Sequence, residues 1–279
     1  GSGATVAGFI VAATHHHLQA FQGLYLFDAV TFVVFALVVL VWIPDPGLAD
    51  APSASEGAQG FLAVARDRLL LALIAGNLAL VMIGGAFFSN ILPPFAEAHT
   101  PVGPVGIGVV VFINTFFIVV AQVPATRVVA RMRRTHALFA TSAIFAVGLL
   151  AVLLATLTSS TLAATTVLAG VAILIAIAEC GQFIVLGPLV AEIAPPHLLG
   201  RYMSLYQLSF MVGVALGPAV GGVLLGTSPD TIWWGGALAL ALTGAGLLRL
   251  GNRIPDPLLQ AQCPPPQAVN QAVTVAEPS

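Results

Sequence analysis

Long apolar runs alternate with short polar segments along most of the sequence. We distinguish eight apolar stretches, at about 1–14, 24–43, 69–92, 105–125, 137–158, 162–190, 204–226 and 231–250. A helix needs about 20 apolar residues to cross the ~30 Å hydrocarbon core of a bilayer, so seven stretches qualify and the first is too short. The pattern predicts an all-α, polytopic membrane helix bundle of about eight spans, with the first span truncated.

The composition supports this class. Of the 279 residues, 58% are hydrophobic and only 7% are charged. A soluble domain carries about 25% charged residues, so most of the surface of this chain is expected to face lipid.

The positive charges fall on one side of the predicted bundle. The chain has no lysine, and all nine arginines stand in alternate connections between the apolar stretches. Arginine-rich loops remain in the cytoplasm, so these connections and the C-terminal tail are predicted to be cytoplasmic in a multi-pass cell-membrane protein. The most basic connection contains Arg127, Arg131, Arg133 and Arg134. It either latches onto acidic groups and helix C-termini or only fixes the topology.

Glu179 stands near the middle of the stretch at 162–190. An ionisable group at that depth is costly unless it faces the bundle interior or a wet cavity, where such groups mark ion or substrate pathways. Burial favours the neutral carboxyl, so Glu179 is a candidate for binding and releasing a proton or another cation. The alternative is a neutral or paired glutamate with a structural role.

Four amide side chains stand inside predicted spans: Asn77, Asn114, Gln122 and Gln182. Asn77 shares a helical face with Gly84, Asn114 with Gln122, and Gln182 with Glu179, by their spacing. A buried amide needs a hydrogen-bond partner, so each either joins two helices or lines a cavity. We treat all four as candidates for lining a substrate cavity.

A glycine-rich face is predicted in the stretch at 204–226. Gly213, Gly217 and Gly221 are spaced by four residues, so they line one side of a helix that Pro218 should bend. Gly222 adjoins them. Small residues at this spacing let two membrane helices approach closely. Such a face either permits sliding between helices or is a static packing surface.

Several function classes receive no support from the residues. The adjacent imidazoles of His15–His17 do not converge well on one ion, and Cys180 and Cys263 have no metal-binding or disulfide spacing. We find no set of residues with the spacing of a catalytic centre. The sequence therefore predicts no metal, no cofactor, no nucleic-acid partner and no enzymatic activity.

The segment Gly213-Val-Ala-Leu-Gly217-Pro218-Ala-Val-Gly221-Gly222 resembles the glycine–proline signature of the major facilitator superfamily, best known from drug/proton antiporters. Three other segments fit the same family. They are Asn114 to Pro124 before the basic loop, Glu179 to Met203 with its prolines and Gly200-Arg201, and Phe27 to Phe32. Two departures are visible: the basic loop lacks the family's glycine and aspartate, and Leu199 stands where an arginine is frequent.

The resemblance implies a fragment that runs from helix five to helix twelve. Residues 1–43 would be the end of the N-terminal bundle, with a partial helix five and helix six, and 44–68 the cytoplasmic central loop. Residues 69–251 would form the C-terminal six-helix bundle, and 252–279 a disordered cytoplasmic tail. A native start, a truncation or a tag remnant would each account for Gly1, and without the missing N-terminal helices the fragment alone is not expected to transport.

The function implied is secondary transport by alternating access. We expect a proton-coupled exporter of small, partly apolar molecules, with protons, a small-molecule substrate and the lipid bilayer as partners. Glu179 would handle the proton, the four amides would line the cavity, and the glycine–proline helix would supply the conformational signature. The alternatives are an uptake permease of the same superfamily and a non-transporting structural or receptor-like membrane protein.

Overall fold

The computed structural model describes residues 18–42, 64 and 66–254, and every regular element among them is helical. The helices are α1 (Leu18–Trp42), α2 (Arg68–His99), α3 (Pro104–Val129), α4 (Arg134–Thr156), α5 (Thr161–Ile193), α6 (Leu199–Thr227) and α7 (Pro229–Leu250). Short 3₁₀ turns, Pro196–Leu198 and Gly251–Arg253, precede α6 and follow α7. The predicted all-α class is confirmed.

Helices α2 to α7 are the six described helices that are long and apolar enough to cross a membrane, and α1 contains a shorter apolar segment, Ala29–Leu40. Each predicted span from residue 69 onwards therefore corresponds to one helix. The predicted stretch at 1–14, His15–His17, residues 44–63 of the predicted linker and the tail at 255–279 lie outside the described residues.

The chain divides into two units, Gly1–Gln59 and Gly60–Ser279. In the first unit, α1 is the described element. In the second, α4 packs against α5 and α7, α3 packs against α5, and α2 packs against α6. The apolar core between these helices includes the fully buried side chains of Trp233, Phe95 and Phe145.

Helix α2 is longer than the predicted stretch and is interrupted by two π-helical segments, Leu80–Gly85 and Phe87–Ile91. The segment Leu92–His99 then resumes as α-helix, with Pro93 and Pro94 in its first turn. Both prolines stand where the π-helical backbone changes to α-helix, and the backbone N–H of Leu92 still bonds to the carbonyl of Phe87 there. The two prolines therefore do not end the helix, which continues to His99.

The three spaced glycines of α6 are buried and face the π-helical part of α2. A Cβ on Gly213 would lie 2.9 Å from the Cβ of Val81, and one on Gly217 would meet the Cβ of Ala86. A Cβ on Gly221 would lie 2.5 Å from the side chain of Ile91. The two helices approach this closely because the glycines of α6 contribute no side chains to the contact. Gly222, by contrast, has nothing within 4 Å of its Cβ position.

A carboxylate fixes the start of α2. Oδ1 of Asp67 accepts hydrogen bonds from the backbone N–H groups of Leu69, at 2.9 Å, and Leu70, at 3.2 Å. Its other oxygen accepts a 2.7 Å hydrogen bond from the hydroxyl of Tyr202 on α6. Asp67 thus satisfies helix N–H groups that would otherwise lack partners and joins the N-terminal ends of α2 and α6.

Arg134, where the basic connection meets α4, forms a partly buried ion pair. Nη2 of Arg134 lies 2.6 Å from Oε1 of Glu192, near the end of α5. Arg134 is 5% exposed, and its Nη1 is buried without a hydrogen-bond partner in the described part of the chain. Arg127, Arg131 and Arg133 are exposed. The four predicted loop arginines therefore occupy two different environments.

Glu192→Ala is expected to destabilise the protein more than Arg134→Met. Removal of Glu192 leaves a nearly buried cation without its partner, at a cost of about 1–3 kcal/mol. Arg134→Met fills a similar volume with apolar atoms and leaves Glu192, whose side chain is 42% exposed, free to be hydrated, so a loss below about 1 kcal/mol is expected. Thermal unfolding of both variants in the same detergent measures the order. An equal or larger loss for Arg134→Met would contradict this assignment.

Candidate functional site

A cleft of about 270 Å³ lies between α2, α3, α5 and α6. Its polar lining comes from Ser89, Asn90, Glu179 and Gln182. The rest of the wall is mostly apolar and includes Ile118, Val81 and Val214, and the aromatic rings of Phe183 and Phe210. The π-helical part of α2 forms one side of the cleft, because Gly85 and Ala86 bring its backbone to the surface there.

Glu179 is the acidic group of this cleft. It lies near the middle of α5 and is partly buried. Oε2 accepts a long hydrogen bond, 3.5 Å, from Nδ2 of Asn114 on α3, and Oε1 lies 3.4 Å from the Cβ position of Gly85. No arginine or histidine of the described residues forms an ion pair with it. In the described part of the chain, the carboxyl group therefore has one long hydrogen bond and no ion-pair partner.

Asn114 connects α3 to α5. Its Nδ2 also donates to the backbone carbonyl of Ala172, at 3.3 Å, and the residue is 8% exposed. Both acceptors of this amide belong to α5, so Asn114 fixes α3 against α5 at the depth of Glu179. It contacts the acidic group directly without belonging to the lining of the cleft.

A chain of buried hydrogen bonds crosses from α5 through α2 to α6. Nε2 of Gln182 donates to Oδ1 of Asn77 at 2.9 Å, and Nδ2 of Asn77 donates to the hydroxyl oxygen of Ser209 at 2.8 Å. The Ser209 hydroxyl in turn donates to the carbonyl of Tyr206 at 2.7 Å. Asn77, Gln182 and Ser209 are all nearly inaccessible. This chain connects three helices directly beside the cleft.

The structure brings part of the predicted set together. Glu179 and Gln182 line the cleft, and Asn114 contacts Glu179. Asn77 lies in the interface between α2, α5 and α6 and not on the cleft wall, so it joins helices there. Gln122 is exposed on α3 and belongs neither to the lining nor to the hydrogen-bond chain.

Sequence reasoning did not identify Ser209, Ser89, Asn90 or the two phenylalanines. Phe183 follows Glu179 by four residues, so its place on the same helical face was available from spacing. It lies 5.7 Å, centroid to centroid, from Phe210 on α6. Pairing between distant helices placed Ser209 and Phe210 beside α5, and no local sequence signal reports that pairing.

Gly84→Ala and Gly85→Ala are expected to have opposite consequences although the residues are adjacent. A Cβ on Gly84 would lie 2.7 Å from the ring of Phe145, which is fully buried, so we expect a loss of about 1–3 kcal/mol in stability. A Cβ on Gly85 would make an ordinary contact with Oε1 of Glu179 and would cover that oxygen. Gly85→Ala should therefore fold normally and lose activity that depends on Glu179. Yield, thermal unfolding and transport of the two variants separate these effects, and normal transport by Gly85→Ala would contradict the prediction.

Residues 77–268 match the family model described as Major Facilitator Superfamily, which is more than half of the chain. The chain belongs to the major facilitator superfamily. It is also similar to the "Uncharacterized MFS-type transporter YhjO" of Bacillus subtilis (strain 168), with 39% identity over 59 residues. This match covers 21% of the present chain and 14% of that protein.

Membership of the major facilitator superfamily confirms the family predicted from the glycine–proline signature. The superfamily consists of membrane transporters, so the prediction of a non-enzymatic protein agrees with the match. With six membrane-length helices in the described residues, the chain is a multi-pass membrane protein of this superfamily.

Proposed function

We propose that this chain is part of a secondary transporter that works by alternating access and exports small, partly apolar molecules in exchange for protons. The observation that carries the proposal is the carboxyl group of Glu179 beside a mostly apolar cleft, where no arginine or histidine of the described residues forms an ion pair with it. A carboxylate without a permanent counter-charge can be neutralised either by a proton or by a cationic ligand. Exchange of substrate for protons requires that the two compete for one group in this way.

The position of Glu179 supports the proton-handling role. It lies near the middle of α5, so in a spanning helix it would stand close to the bilayer midplane, where transporters of this kind bind their substrates. Its single amide donor, at 3.5 Å, stabilises the charged form only weakly. On this proposal Glu179 carries a proton while the cleft is empty, and a cation that enters the cleft displaces it.

The contact between α2 and α6 is compatible with movement of one helix along the other. The glycine face of α6 packs against side chains of α2 and comes close to its backbone, with Met82 O 3.0 Å from the Cβ position of Gly217. Because the glycines contribute no side chains, this interface offers less resistance to a shift along it than a core in which side chains of both helices interdigitate. On this proposal Gly213, Gly217 and Gly221 form the sliding face, and Pro218 bends α6.

The orientation is part of the proposal. The arginine-bearing ends of α2 to α7 would be cytoplasmic in the cell membrane, by the positive-inside rule. Residues 44–68 would then form the central cytoplasmic loop, 69–251 the C-terminal bundle and 252–279 a cytoplasmic tail.

Everted membrane vesicles from cells expressing the intact gene test the proposal. A proton gradient with the acidic side inside the vesicles is imposed or collapsed, and accumulation is followed for a panel of cationic, neutral and anionic aromatic compounds. Accumulation that depends on the proton gradient and is absent from vesicles without the gene is the expected result. No gradient-dependent accumulation of any compound would contradict proton-coupled export.

A further inference from the structure

The charged residue that lines the cleft is acidic. Glu179 is its charged residue, and the arginines of the described ranges stand at the helix ends. An anionic ligand would find no countercharge among the described residues of the cleft, whereas a cation would meet a carboxylate in a poorly hydrated wall. This inference rests on the proposed function and concerns the substrate of the same site.

The buried hydrogen-bond chain determines which atom of Gln182 is available to a ligand. The Ser209 hydroxyl donates its hydrogen to the carbonyl of Tyr206, so its oxygen accepts from Asn77. Asn77 thereby directs its Nδ2 to Ser209 and its Oδ1 to Gln182, whose Nε2 donates to it. The carbonyl Oε1 of Gln182 is the atom left over.

Two observations indicate that Oε1 of Gln182 is the atom directed towards the cleft. Gln182 lines the cleft although only 2% of the residue is exposed, and among the described residues no hydrogen bond engages this oxygen. Because Nε2 and Oε1 diverge from the same carbon, an amide whose nitrogen is held by Asn77 turns its oxygen away from the helix interface.

We infer that the cleft selects cations that carry N–H donors on an apolar body, such as protonated amines and guanidinium compounds, and that Gln182 is the residue that discriminates them. The carboxylate of Glu179 attracts any cation. The oxygen of Gln182, one helical turn away, accepts a hydrogen bond, so it stabilises only a bound cation that can donate one. The rings of Phe183 and Phe210 receive the apolar body.

A permanently quaternary ammonium is the discriminating competitor. It carries the same charge and nearly the same apolar surface but has no N–H group. Its entry would displace water from Oε1 of Gln182 without replacing the lost hydrogen bond, and an unpaired buried acceptor is costly. The cleft is therefore expected to favour the protonated tertiary amine over its N-methylated analogue by roughly tenfold.

The test compares two probes that differ by one methyl group: protonated N,N-dimethyl-1-naphthylmethylamine and its quaternary N,N,N-trimethyl analogue. Equilibrium dialysis measures their binding to the purified protein in lipid nanodiscs. Wild type should bind the tertiary cation about tenfold more tightly. Gln182→Met, of similar size but without the carbonyl, should weaken only the tertiary cation, so that the two affinities become nearly equal.

Ser209→Ala provides a second variant that leaves Gln182 in place. It removes the acceptor that orients Asn77, so it should reduce the ratio of the two affinities without abolishing binding of either probe. Phe183→Leu is the control, because it should weaken both probes and keep their ratio. Thermal unfolding confirms that each variant is folded.

The outcomes separate this inference from the proposed function. A wild-type ratio near one, or a ratio unchanged in both Gln182→Met and Ser209→Ala, overturns the role of Gln182. If Glu179→Gln still weakens the binding of both cations by about tenfold or more in that case, the proposed function stands and only the selection of N–H donors fails. If Glu179→Gln leaves the binding of both cations unchanged, both proposals fail.

Discussion

Glu179→Gln is expected to abolish proton-driven transport while leaving the protein folded. Glutamine keeps the shape of the side chain and accepts the hydrogen bond from Asn114, so packing between α3 and α5 should persist. It cannot bind a proton or present a charge to a cation. Loss of a charged hydrogen-bonded contact is worth about 1.5–3 kcal/mol, which corresponds to about a 10–100-fold loss in affinity for a cationic substrate.

The measurement is gradient-driven accumulation in everted vesicles, together with the amount of folded protein. Glu97→Gln is the matched control, because Glu97 is an exposed carboxylate near the end of α2, outside the cleft. It should transport like wild type. Wild-type accumulation by Glu179→Gln would show that the proton is carried elsewhere, and the mechanism proposed for this cleft would have to be abandoned.

Gly217→Ala is expected to be the most damaging substitution of a glycine by alanine in α6. The new methyl group would meet the Cβ of Ala86 and would lie 3.0 Å from the carbonyl oxygen of Met82. A backbone oxygen within a helix cannot retreat as a flexible side chain can, so α6 must separate from α2. We expect a loss of about 1–3 kcal/mol in stability and a larger relative loss of transport, because both helices line the cleft.

Gly222→Ala is the control for this substitution. It lies in the same helix, and its Cβ position has nothing within 4 Å. We expect the thermal stability of Gly222→Ala in the same detergent to be unchanged or slightly higher, since alanine favours helix. Its transport in vesicles should be unchanged. The double variant Gly217→Ala with Ala86→Gly should recover part of the stability. Equal stability of the two single variants would contradict the close approach of α2 and α6.

The helical spans could be predicted because their signal is local. A run of apolar residues long enough to cross a bilayer needs no knowledge of its neighbours, so α2 to α7 and the mid-helix position of Glu179 follow from counting. The regular spacing of Gly213, Gly217 and Gly221 likewise defines a face before its partner is known.

The spacing argument fails where the helix is not a regular α-helix. Asn77 and Gly84 were expected to share a face, yet Asn77 contacts Ser209 and Gln182 whereas Gly84 packs on Phe145 of α4. The π-helical segment beginning at Leu80 lies between them and shifts the register of the side chains that follow. The apolar pattern of the sequence does not predict this π-helical segment.

The pairing of side chains from helices distant in sequence was the second feature that could not be predicted. Ser209 is 132 residues from Asn77, and Glu192 is 58 residues from Arg134. Whether an amide joins helices or lines a cavity depends on how each helix is rotated and tilted against its neighbours, and packing of the whole bundle decides both. Asn77 and Gln182 therefore looked equivalent in the sequence, although only Gln182 reaches the cleft.

Proton release on ligand binding tests the central claim most directly, because exchange at Glu179 requires that a cation and a proton compete for one carboxyl group. The purified protein in weakly buffered solution is mixed with the quaternary naphthylmethyl cation, which carries no titratable proton of its own, and a pH-sensitive dye reports the change over a series of starting pH values. Wild type should release protons on binding, whereas Glu179→Gln should release none. Binding without proton release at any pH, or the same release from Glu179→Gln, would contradict the account.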